Sequence, residues 1–108
     1  MQFHSFLKSL VFSGAALLDK HRPGWRSQIN PNTVDVANAK KCPLGQLFGT
    51  SEEGYKRLGG DSRDFLINNG FAASSMGGKG YVENVKHLNA LWWAFVVTPL
   101  AQKETVEA

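Results

Sequence analysis

YVENVKHLNALWWAFVV, residues 81–97, decides the fold. Tyr81, Val82, Val85, Leu88, Leu91, Trp92, Phe95 and Val96 recur at three- and four-residue spacing, which at 3.6 residues per turn gathers them into one apolar stripe on a long helix. Trp93 falls off the centre of that stripe and is expected at the surface. Pro99 should kink or end the helix, because proline lacks the amide donor and clashes with the preceding turn. The polar stretch beyond it, with 103–108 as its end, is expected to fray.

A second long helix is legible at the other end. Phe3, Phe6, Leu7, Leu10, Val11, Leu17 and Leu18 share helical spacing with polar residues between them, which predicts a helix over 3–20. Lys8 ahead of Leu10–Leu18 imitates a secretory leader, but no clear small-x-small cleavage site follows, and an amphipathic core helix is the better reading. Pro23-Gly24 should stop it, and Trp25 should pack back on the core.

Between these helices the punctuation marks short elements. Asn30-Pro31-Asn32 is turn chemistry, and the alternation of Val34 and Val36 suggests one short extended segment in an otherwise irregular stretch over 26–41. Pro43 opens a helix to Phe48, where its missing N–H costs nothing, and Gly49 closes it. Thr50 and Glu53 have capping-box spacing for a helix through Leu58 that stops at Gly59-Gly60. Asp61 or Ser62 should cap the next, which carries Phe65, Leu66 and Ile67 and ends at Asn69-Gly70. Residues 71–80 are mostly small, and Gly77-Gly78-Lys79-Gly80 reads as a flexible loop. The expected architecture is mainly α: a small single-domain helical bundle over 1–108, with long N- and C-terminal helices and short central ones.

With 108 residues, 43% of them hydrophobic, the chain can bury one modest core and not two. A small domain leaves much of its surface uncovered, so three Trp and seven Phe favour a homo-oligomer. A formal charge of +3, with 12 basic residues scattered along the chain, gives no electrostatic footprint for nucleic acid. No apolar run approaches the roughly 20 residues of a membrane helix. A single cysteine forms no internal disulfide and suits the reducing cytoplasm.

The pattern Gly14-Ala15-Ala16-Leu17-Leu18-Asp19, Pro23-Gly24-Trp25, Ile29, Cys42 with Leu44-Gly45-Gln46-Leu47-Phe48-Gly49, Gly54, Leu58-Gly59, Gly70-Phe71, then Tyr81, Leu88 and Trp92, resembles a group of small uncharacterised proteins of actinobacteria and their phages. The resemblance spans 14–92 and is most specific in Pro-Gly-Trp and Cys-x-Leu-Gly-Gln-Leu-Phe-Gly. The chain departs from it at Pro43, where a valine or similar residue is expected, and in its glycine-rich segment. It implies a phage accessory protein resident in the host cytoplasm and brings no chemistry with it.

The candidate site residues come from the side chains themselves. Cys42 at a helix N-terminus beside Lys40 and Lys41 would have its thiolate favoured, and a nucleophile would need His21 or His87 close by; the competing expectation is a buried core thiol. Arg22, Trp25 and Arg26 offer a ring face and two guanidinium forks to a nucleotide. Lys79, among glycines ahead of a helix, can meet an anion, although Ala73 and Gly80 replace the Gly and Ser/Thr of a P-loop. Gln46 sits in an apolar helix and either orients a ligand or satisfies nearby backbone. His4, His21, His87 and Cys42 lack metal-ligand spacing, and no metal or cofactor is expected.

The leading expectation is a phage-encoded counter-defence protein that sequesters a nucleotide-type signal with Arg22, Trp25, Arg26, Cys42, Gln46 and Lys79. The alternatives are a module that blocks a host protein through an aromatic face around Trp92, Trp93 and Phe95, and a Cys42-dependent enzyme.

Overall fold

Five α-helices and two 3-10 turns account for the regular structure in the computed structural model, which describes residues 2–73 and 78–97, with side chains from 6 to 73 and from 80 to 97. Among the described residues there is no strand. The helices are α1 (Gln2–His21), α2 (Pro43–Phe48), α3 (Ser51–Arg57), α4 (Arg63–Asn68) and α5 (Gly78–Val97), and the 3-10 turns are Trp25–Gln28 and Pro31–Thr33. The mainly α bundle read from the sequence is the observed architecture.

The two long helices pack on each other and frame the core. Leu7, Val11, Ala15 and Leu18 of α1 are buried, as are Leu88, Trp92 and Phe95 of α5; Trp25 and Phe71 join the same cluster, and Ile29, Leu44, Leu47 and Leu66 extend it under the central helices. Its centre is aromatic. The Trp92 ring stacks on Phe71 at 5.2 Å and meets Trp25 edge-on at 5.9 Å, the offset and edge geometries that ring quadrupoles favour. The Trp92 indole N–H donates to the Gly70 carbonyl at 2.7 Å, so the buried polar end of the ring is satisfied.

That close approach is possible because position 14 of α1 has no side chain. A Cβ on Gly14 would collide with the Asn69 carbonyl oxygen and stand 3.0 Å from Phe71 and 3.2 Å from Trp92. Gly14 is therefore where α1 accepts the 69–71 turn, and the Ser13 hydroxyl secures the contact by donating to the Asn69 side chain.

The central helices follow their local signals. Cys42 and Thr50 are the N-caps of α2 and α3, the Thr50 hydroxyl accepting from the Glu53 amide at 3.1 Å. Gly49 ends α2 at φ 105°, a conformation that a side chain would strain. On α3, Glu52 and Glu53 pair with Lys56 and Arg57 four residues on, the order that also suits the helix dipole. Ser62 precedes α4 without a side-chain cap bond.

Four expectations need correction. Val34 and Val36 are buried without forming a strand, because this segment is bonded to side chains from elsewhere in the chain. Gly78, Lys79 and Gly80 are the first turn of α5 and not a loop; 74–77 lie outside the described residues. Phe6 and Val82, assigned to apolar stripes, are 59% and 48% exposed. Of the aromatic face proposed around Trp92, Trp93 and Phe95, only Trp93 is exposed; Trp92 and Phe95 are buried, as their place on the core stripe implies. Pro99 and the 103–108 tail also lie outside the described residues, and no described helix is long and apolar enough to cross a membrane.

Candidate functional site

Three clusters hold the chemistry-bearing side chains, and the first gathers the residues around the Pro23-Gly24 turn. Asp19, at the end of α1, accepts from the Trp25 indole N–H at 2.8 Å and from Arg26 Nη1 at 3.1 Å. Arg26 also donates through Nε to the Phe95 carbonyl at 3.0 Å and lies 4.4 Å over the Trp25 ring. One face of Trp25 thus meets a guanidinium that is itself tied to α1 and α5, and the ring as a whole is buried. A nucleotide base would have to displace Arg26 to stack there. Arg22 donates through Nε and Nη2 to Gln28 Oε1 at 3.1 and 3.0 Å, and its guanidinium lies 5.1 Å over Phe48.

The second cluster ties the 30–42 segment to α2. Gln46 Oε1 accepts from the Asn30 amide at 2.8 Å, while Nε2 donates to the carbonyls of Lys41 at 3.0 Å and Asn30 at 3.3 Å. Of the two roles open to Gln46, satisfying backbone is the one its contacts fill. Cys42 is 1% exposed, and its sulfur accepts from the Gly45 amide at 3.3 Å. Burial pushes the thiol pKa up, against the smaller opposing pull of the Gly45 and Leu44 amides. The expected activation by the helix N-terminus is outweighed, and the thiol stays protonated and shielded at neutral pH.

The third cluster is the outer face of α5, and sequence reasoning saw only Trp93 in it. Val82, Lys86, Asn89, Trp93 and Val97 recur at intervals of four, three, four and four residues, which aligns them on one side of the helix. Trp93 is 46% and Val97 39% exposed at the C-terminal end of this face, and Val82 is exposed towards its N-terminal end. Asn89 joins this face to the loop beside it: Oδ1 accepts from the Val36 amide at 2.8 Å and Nδ2 donates to Asp35 at 3.5 Å. Trp93 Nε1 reaches Asn32 at 3.4 Å, near the other end of the same loop. Between loop and helix lies an open depression of about 330 Å³ lined by Asp35, Ala37, Tyr81, Val82, Val85, Lys86 and Asn89. Its walls combine apolar side chains with one carboxylate and one ammonium. The available signal was a second helical stripe, at 82, 86, 89, 93 and 97, offset from the core stripe.

Of the six sequence candidates, Arg22, Trp25, Arg26, Cys42 and Gln46 lie outside α5. Arg22, Trp25 and Arg26 share one neighbourhood, Cys42 and Gln46 another; Lys79 falls in the first turn of α5, and its side chain is outside the described ones. Among the described residues, no group of three His, Cys, Asp or Glu is placed to hold a metal ion. No known protein family, curated protein or solved structure matches this chain.

Proposed function

We propose that this protein works by binding another protein, with the outer face of α5 as its contact surface. The observation that supports the reading is the half-exposed Trp93 on one helical stripe with exposed Val82 and Val97. Large apolar side chains left in water along one face mark contact surfaces more often than isolated exposed ones do, and tryptophan is enriched among the residues that dominate binding energy. Lys86, Asn89 and Asp35 give the stripe a polar border, so a partner is recognised by charge as well as by apolar burial. In the phage setting implied by the resemblance, such docking would block a host protein.

Affinity capture from a cell lysate, run in parallel with the wild-type chain and Trp93→Ser, tests this reading. Loss of a captured protein in the variant at unchanged melting temperature is the expected result; capture indifferent to position 93 overturns it.

Sequestration of a nucleotide-type anion keeps one supporting observation, the Arg22 guanidinium. It is held by the neutral Gln28 amide and an aromatic face, so its charge is available to a phosphate. A thermal-shift screen of cyclic and ADP-ribose-type nucleotides tests it, with stabilisation lost in Arg22→Gln as the supporting outcome. No stabilisation by any of them counts against it.

A further inference from the structure

Resting on the reading that the outer face of α5 is a docking surface, we propose that its occupant is a second copy of this chain, with the two α5 helices antiparallel about a two-fold axis between Asn89 and Ala90. In a two-fold contact, residue i of one copy meets residue j of the other and j meets i, so the face must be complementary to itself. Val82 and Val97 stand at equal sequence distance from the 89/90 point, and so do Lys86 and Trp93. An antiparallel pairing centred there sets Val82 against Val97 of the second copy and Lys86 against its Trp93, each twice.

Both pairings are favourable. The first buries apolar surface that is now 48% and 39% exposed. The second places an ammonium over an indole face, the best ring for a cation–π contact. A parallel arrangement in the same register would instead bring Lys86 against Lys86. The loop bonded to Asn89 and Trp93 borders this face, and Ala90, about a quarter-turn round from Asn89, is small and exposed, which permits close approach of a second helix on that side. Asn89 holds Asp35 beside the same point, so the axis would bring two carboxylates near the two Lys86 ammonium groups. From Val82 to Val97 the stripe runs about 22 Å, at 1.5 Å per residue. One helix pair with its flanking loops lies at the small end of specific interfaces, so the assembly should be concentration-dependent.

Sedimentation velocity of the full chain over a concentration series, with Trp93→Lys alongside, reads the association directly. The expected result is a mass rising towards twice the 11.9 kDa of the chain for wild type, and a monomer for Trp93→Lys, whose new cation would face Lys86. A second measurement is independent of that variant's folding. Ala90→Cys should be joined into a dimer by a short bis-maleimide, whereas Lys56→Cys on α3 should not; buried Cys42 does not compete. A dimer that survives Trp93→Lys, or cross-links at position 56 and not at 90, overturns the assignment to α5. A wild-type chain that is monomeric throughout, yet captures a different protein through Trp93, overturns self-association and leaves the docking reading intact. A monomer with no Trp93-dependent capture overturns both.

Discussion

Gly14→Ala sets two physical effects against each other, and the structure decides the sign. In an exposed helix interior the change stabilises by about 1 kcal/mol, because alanine has less backbone entropy to lose. At position 14 the added methyl meets the Asn69 carbonyl oxygen, Phe71 and Trp92. The turn carrying that carbonyl is anchored on both sides, by the Gly70 amide on Ile67 at 3.2 Å and by the Trp92 indole on the Gly70 carbonyl. A backbone atom held this way does not move cheaply, so the cost belongs at the upper end of overpacking, about 3 kcal/mol. The net effect is a loss of about 2 kcal/mol, which for a domain of this size lowers the melting temperature by roughly 8–16 °C. Thermal and urea denaturation followed at 222 nm measure it. Ala16→Gly, exposed on the same helix, is the control and should lose only about 1 kcal/mol, from propensity alone. If Gly14→Ala melts at or above wild type, α1 does not approach the 69–71 turn as described.

The polar contacts of Cys42, Gln46 and Asp19 give four further expected outcomes. Cys42→Ser keeps an acceptor for the Gly45 amide and should stay within about 1 kcal/mol of wild type, while Cys42→Ala loses the cap and should cost about 1 kcal/mol or more in urea titration. Because folding raises the thiol pKa above its ordinary value of 9.0, stability is intact below that pH and falls as pH climbs past it, where the unfolded chain sheds its proton first; thiol-reagent labelling at neutral pH should likewise track unfolding. Gln46→Glu replaces two carbonyl-directed donors with acceptor oxygens and should cost about 2 kcal/mol or more, with Gln46→Leu costing about 1–3 kcal/mol, both read as shifts in the denaturation midpoint. Asp19→Ala leaves the buried Trp25 indole N–H without its acceptor and should cost about 1–3 kcal/mol by the same measurement.

The elements that the sequence declared are those whose cause is local. Pro43, Gly49, Thr50 and Glu53 act within one turn of themselves, and α2 and α3 fall where those residues place them. The 30–42 segment was opaque for the opposite reason. Its backbone is bonded to Gln46 and to Asn89, the latter 53 residues from Val36, and no local pattern announces such a partner. Periodicity ranked the two long helices well, yet it says which side is apolar and not whether anything covers the edge of that side; Phe6 and Val82 sit at such edges. Cys42 shows the same limit in chemical form. Its position at a helix start was legible, its depth was not, and depth decides the thiol's proton affinity. That Arg26 would be spent on Asp19 and the Phe95 carbonyl depends on α1 and α5 meeting, a property of the assembled core.

The placement of the three indoles has a spectroscopic consequence. Trp25 and Trp92 share the dry interior, edge to face, while Trp93 stands half in solvent. Excited together, they form an emission of two parts: a blue-shifted component that a dissolved quencher such as iodide does not reach, and a red-shifted one that it does. The accessible part reports the outer face of α5, and the shielded part reports the integrity of the core. The chain thus carries, without any label, separate optical signals for whether it is folded and whether its surface is covered.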